Sequence, residues 1–134
     1  MNILVTGGTV FASRFTAEYF IETGHNVYVF NRGNDEQSVG ALHIKADRHS
    51  HGDTLIKYRF DAVLDVTAYT AQDVKDLVVG LGEFGTYVLV SSSAVYPETL
   101  PQPFCEEQKI GPNSIWGAYG TDKIAAEKYV TENI

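Results

Sequence analysis

Tyr119 and Lys123 stand four residues apart in YGTDK, near the end of the chain. Residues at i and i+4 share a helix face, so a helix there brings a phenol and an ammonium together. A cation beside a phenol favours its ionised form, and such a tyrosine can pass a proton to or from a hydroxyl or carbonyl oxygen. The serines of SSSAVY (91–96) can supply a hydroxyl that hydrogen-bonds the same oxygen. At the other end of the chain, TGGTVFAS (6–13) sets Gly7 and Gly8 between an apolar run and a candidate helix. Glycines allow the tight turn, and the N–H groups and dipole of the helix start then attract an anion. A dinucleotide fingerprint has three glycines, and Val10 and Ser13 stand where the second and third would be. Val10 adds a Cβ where the backbone would approach a pyrophosphate, and Ser13 adds bulk where the helix would press on the sheet. Alone, the glycine turn fits any α/β domain, and the Tyr–Lys pair fits any surface helix. Their order along the chain, glycine turn, then serines, then Tyr and Lys, is what carries the signal.

These residues need elements to position them, and strand-like and helix-like segments alternate. NILVTG (2–7), NVYVFN (26–31), ALHIKAD (41–47), DAVLDVT (61–67) and TYVLVSSS (86–93) read as strands. Residues 10–24 read as a helix, with Phe11, Phe15 and Tyr19 at four-residue spacing and Gly24 as its stop. A short helix is expected over 52–59, and longer ones over 70–82 and 114–133, the last with Ser114 as N-cap. The prolines at 97, 101, 103 and 112 make 97–113 a loop. Short apolar runs between helices mean strands buried on both faces, hence an α/β doubly wound parallel sheet of Rossmann-like type. At the end of the second strand, where an acidic residue usually meets the adenosine ribose, Asn31 and Arg32 stand instead. Asn31 can hydrogen-bond a ribose without charge. Arg32 can pair with a 2′-phosphate, or with Asp35 or Glu36 in a solvated turn. Asp65 is explained by its place at a strand end beside a cofactor cleft.

Composition narrows the function classes. The 134 residues make at most one domain, 44% hydrophobic and 20% charged, as in ordinary globular chains. The formal charge of −7 and the scatter of the ten Lys and Arg oppose nucleic acid and anionic membranes as partners. No apolar run reaches membrane-spanning length. The single cysteine, Cys105, excludes an internal disulfide and favours a reducing, cytoplasmic compartment. His49 and His51 lack acidic or cysteine partners at ligand spacing, so no metal is expected.

Together, TGGTVFAS, Asp47, DVTAY (65–69), SSSAVY and YGTDK resemble the extended branch of the short-chain dehydrogenase/reductase superfamily, the NAD(P)-dependent epimerases and dehydratases. The resemblance covers nearly the whole chain. It implies Tyr119 as acid/base, Lys123 on the nicotinamide ribose and Ser92, with Ser93 second, as the catalytic hydroxyl. It further implies Asp47 on the adenine amine and Val66, Thr67 and Ala68 along the cofactor. Gly7, Val10 and Phe11 would meet the pyrophosphate through their backbone. The implied cofactor is NAD or NADP, and the implied substrate a nucleotide-sugar altered by reversible hydride transfer. The implied assembly is a homodimer through helices 70–82 and 114–133. Family members are roughly twice as long, with a sixth strand and a C-terminal substrate domain, so a truncated Rossmann-like domain over 1–134 is expected. The alternative is an NAD(P)-binding, dimerising module without catalysis.

Overall fold

A computed structural model describes residues 1–134. The elements in chain order are β1 (Asn2–Thr6), α1 (Phe11–Glu22), β2 (Asn26–Asn31), β3 (Leu42–Lys45), β4 (Phe60–Asp65), α2 (Ala71–Gly80), β5 (Phe84–Leu89) and α3 (Ala118–Asn133). Short 3-10 turns cover Gly52–Thr54 and Ser93–Val95. The five strands form one sheet in the order β3-β2-β1-β4-β5, and every neighbouring pair is parallel. This is the expected doubly wound α/β arrangement: β1 sits at the centre, and the chain reverses its direction of travel across the sheet between β1 and β4.

Two compact units make up the chain. The first comprises Met1–Thr67 and Asp76–Val90, and the second Ala68–Lys75 and Ser91–Ile134. In the first unit the two faces of the sheet are buried by different residues, as the alternation of side chains along a strand requires. Leu4, Phe30, Ile44 and Val63 gather with Leu77 of α2 and with Leu55, Phe60 and Leu81. Ile3, Val5, Val27 and Val29 gather with Ala17 of α1.

Several boundaries differ from the sequence reading, each for a local reason. β5 ends at Leu89, so Ser91–Ser93 lie beyond the strand. The stretch 52–59 closes only one 3-10 turn, because Asp53 leaves helical φ/ψ. Ser114 does not cap α3. Its hydroxyl and its N–H both donate to the Glu98 carboxylate, and the N-cap is Gly117, at φ +51°. On α1 the aromatic stripe faces outward: Phe11, Phe15 and Tyr19 are 83%, 68% and 61% exposed. The helix buries Ser13 and Ala17 instead, because small residues let it lie close to β1 and β2. Gly24, at φ +85°, ends α1 as expected, its N–H donating to the Ile21 carbonyl.

Candidate nucleotide-binding site

In the first unit the carboxyl end of β1 runs into the glycine turn. Gly7 and Gly8 have φ of +86° and +79°, a region that side-chain-bearing residues avoid. A Cβ on Gly8 would stand 2.4 Å from Val29 Cγ1, so glycine is required by packing as well as by backbone. A Cβ on Gly7 would stand 2.9 Å from Ser13 Oγ. Ser13, in place of the third glycine, thus fills the space behind the turn, and its hydroxyl donates to the Val10 carbonyl over 2.9 Å. Val10 is the N-cap of α1 and offers no side-chain acceptor, and the first turn of α1 carries no acidic residue. The N–H groups of that turn therefore have no capping group, which suits an incoming anion. The Val10 side chain points largely into solvent, and Phe11 takes φ +44°, a strained value for an aromatic residue.

At the tip of β2, Asn31 is fully engaged. Its Nδ2 donates to the Gly7 carbonyl (2.6 Å) and to Gln37 Oε1 (2.8 Å), and its Oδ1 accepts from the Gly33 N–H (2.8 Å) with His43 Nε2 at 2.9 Å. The side chain thereby ties the glycine turn to the loop after β2. Arg32 beside it is exposed and forms no ion pair with Asp35 or Glu36. Asp47, half-buried after β3, accepts the His49 N–H on Oδ1 at 2.9 Å.

The switch point between β1 and β4 holds a network that the sequence does not reveal. Asp65, fully buried, accepts from Thr6 Oγ1 (2.8 Å), Tyr87 OH (2.6 Å) and both terminal nitrogens of Arg48 (2.9 and 2.5 Å). Thr6 Oγ1 in turn accepts the N–H groups of Val66 (2.9 Å) and Thr67 (3.1 Å). The network fixes where the chain leaves β4. Arg48 also donates to Thr67 Oγ1 at 3.1 Å. A carboxylate ending the apolar run FDAVLD was the one available signal, since a doubly buried strand tolerates a charge only when it is paired. Arg48 and Tyr87 gave none.

The second unit carries the proton-transfer candidates. Gly120 lets α3 approach closely, because a Cβ there would meet the Ala94 carbonyl at 2.5 Å. Lys123 is buried to 3% exposure, and its Nζ donates to the Ala68 carbonyl over 2.9 Å. One turn earlier on the same face, Tyr119 is half-buried between Tyr69 and Trp116. Ser92 accepts the Ala94 N–H on Oγ at 3.2 Å and so caps the 3-10 turn; Ser93 is exposed. The Ser91 hydroxyl donates to the Glu127 carboxylate. A cleft of about 480 Å³ lies at the amino ends of β4 and β5, lined by Phe60, Asp61 and Phe84. Open α/β sheets bind ligands at the other end of their strands.

The strand order and the glycine turn at the switch point define a Rossmann-like fold of the kind found in the N-terminal half of NAD-dependent epimerases and dehydratases. A UDP-glucose 4-epimerase superposes with a TM-score of 0.81 at 18% identity, covering 98% of this chain and 47% of that one. An NAD-dependent NDP-hexosamine 5,6-dehydratase gives 0.77 at 16%, covering 98% and 49%. In sequence, the chloroplast stem-loop binding protein of 41 kDa b from Arabidopsis thaliana is 29% identical over 131 residues, covering 84% of this chain and 35% of that protein. No family model matches the chain. The chain thus spans about half of these solved structures and about a third of the curated relative. No helix is long and apolar enough to cross a membrane.

Proposed function

We propose that the chain binds NAD or NADP and forms the proton-transfer part of an epimerase or dehydratase acting on a nucleotide-sugar. The observation that carries this reading is Lys123. A lysine at 3% exposure has lost most of its hydration, and folds rarely bury one without a use. Here its ammonium is aimed by the Ala68 carbonyl and lies one helical turn from Tyr119. The uncapped N-terminus of α1 and the turn of Gly7 and Gly8 fit a pyrophosphate held by backbone N–H groups, with Val10 and Phe11 at the helix start. Val66, Thr67 and Ala68 would line the cofactor, and Asp47 would meet its adenine. Since Asn31 is engaged within the protein, Arg32 is the residue at that tip left to meet a ribose or a 2′-phosphate.

The cofactor, when bound, supplies the hydride acceptor and donor. Tyr119 holds the proton of the reacting sugar hydroxyl, taking it as the carbon is oxidised and returning it on reduction. Ser92 hydrogen-bonds the same oxygen. Homodimerisation through helices 70–82 and 114–133 belongs to the same proposal, and Val79, 73% exposed on α2, supplies apolar surface for it. Stem-loop binding, the property in the plant relative's name, is not carried over, because a formal charge of −7 opposes a polyanion.

Calorimetry of the chain with NAD and NADP tests the reading. One of the two should bind, and Lys123→Met should weaken that binding while Tyr119→Phe leaves it nearly unchanged. Failure of the folded chain to bind either would refute it. Binding without turnover of UDP-glucose would favour a cofactor-binding module without catalysis.

A further inference from the structure

The outward face of α1 is uncovered. Ser13 and Ala17 take the side against the sheet, which turns the rings at positions 11, 15 and 19 away from it. Phe11, Phe15 and Tyr19 recur every four residues and so form one ridge along the helix. Together they expose on the order of 400 Å² of largely apolar surface, since each such ring can bury about 150–250 Å². The largest apolar patch on an ordinary monomer measures about 300–600 Å² and often has a use.

The residues beside the ridge select the occupant. On one side runs a row of smaller residues, Ala12 and Thr16, and the groove between two such rows receives the ridge of another helix. The same helix thus carries both ridge and groove, as a two-fold contact between copies requires. On the other side Arg14 and Glu18 form an i,i+4 ion pair at 2.8 Å, with side chains 45% and 33% exposed. A two-fold axis reverses their order, so an antiparallel copy sets the Arg14 of each against the Glu18 of the other. One charge of each sign offers nothing to a polyanion or an anionic membrane, but it complements its own inverted image. We propose that α1 pairs antiparallel with α1 of a second copy, ridge into groove, flanked by two Arg14–Glu18 contacts. Two ridges remove about 800 Å² from water, and the flanking residues bring the total near 1,000 Å², the lower limit for a specific interface, so the dissociation constant should be about 100 µM. The formal charge of −7 on each copy opposes approach; at about 0.15 M salt it is screened beyond about 8 Å. Ala17 of α1 and Leu77 of α2 pack on opposite faces of the sheet, so this contact leaves α2 free for the homodimer proposed above. It is independent of the cofactor reading.

Sedimentation velocity of the chain from about 10 µM to 1 mM, at about 0.15 M salt, should show a concentration-dependent association step. Phe15→Gln combined with Tyr19→Gln should weaken that step about tenfold. Both positions are exposed and glutamine sustains a helix, so the circular dichroism should stay native. Arg14→Glu and Glu18→Arg should each weaken the step about fivefold alone, and an equimolar mixture of the two should restore it. Neither variant keeps the ion pair within its own helix, so recovery on mixing reports a contact between copies. Val79→Gln on α2 should leave the step unchanged. A folded chain that shows no association step overturns the proposal and assigns the face to another occupant. A step that survives in the folded Phe15→Gln, Tyr19→Gln variant, one lost in Val79→Gln instead, or a mixture no stronger than its components each overturns it as well.

Discussion

Replacing Arg48 by Met should destabilise the chain far more than removal of an ordinary surface cation. The Arg48 side chain is 11% exposed and that of Asp65 is 0% exposed, so water cannot take the place of the lost partner. Asp65 would keep only Thr6 Oγ1 and Tyr87 OH as donors, its buried pairing with the guanidinium lost. Breaking a buried pair by removing one partner costs about 3–5 kcal/mol, against about 0–1 kcal/mol for an exposed pair. On a domain stable by about 5–15 kcal/mol, that is a large fraction of the total. Urea unfolding followed by circular dichroism should show a much lower midpoint at unchanged slope. Replacing both members, as in Arg48→Met with Asp65→Leu, removes the stranded charge and should recover much of the loss. A cost below about 1 kcal/mol for Arg48→Met, or a double variant less stable than the single one, would refute the view of Asp65 as a paired buried carboxylate.

Gly8→Ala should both destabilise the fold and weaken cofactor binding. The left-handed backbone alone costs about 1–2 kcal/mol, and the new Cβ would lie 2.4 Å from Val29 Cγ1, forcing the turn to move; urea unfolding and NAD calorimetry read the two effects. Ser114→Ala should raise the titration point of Glu98. That carboxyl is held below its ordinary range chiefly by the Ser114 hydroxyl, with the Glu98 and Ser114 backbone N–H groups adding to the effect. A lowered carboxylate stabilises the fold above its unfolded titration point, and the contribution is lost as the pH falls through the folded one. The acid side of the stability profile should therefore flatten in the variant, as a carboxyl-resolved NMR titration with parallel unfolding curves would show.

The sheet was legible because its strands are short apolar runs, and the central one, β1, is buried on both faces. Apolar runs such as NVYVFN have no polar alternation to confuse them, and β2 spans the same residues, 26–31, in sequence and structure. The glycine turn was legible because only glycine sustains its backbone. The outward face of α1 was not. Four-residue spacing identifies a helix but not which side is buried, and here Ser13 and Ala17 win because close approach to the sheet favours small side chains over large rings. The Asp65 network was hidden for another reason. Thr6, Arg48 and Tyr87 lie 59, 17 and 22 residues from Asp65, and each is unremarkable in its own stretch. Ser114 misled because a cap is decided by which acceptor and donor are nearest in space, and Glu98 claimed it first.

Asn31 gives the tip of β2 a further meaning. A carboxylate there would repel a second phosphate on the adenosine ribose and so act as a gatekeeper between the two nicotinamide cofactors. The amide is neutral and is folded back onto the glycine turn that it braces. The position thus serves as a structural brace, and its neighbour Arg32 is left exposed. Substitutions at Arg32 can then vary the surface of this chain without disturbing the turn of Gly7 and Gly8.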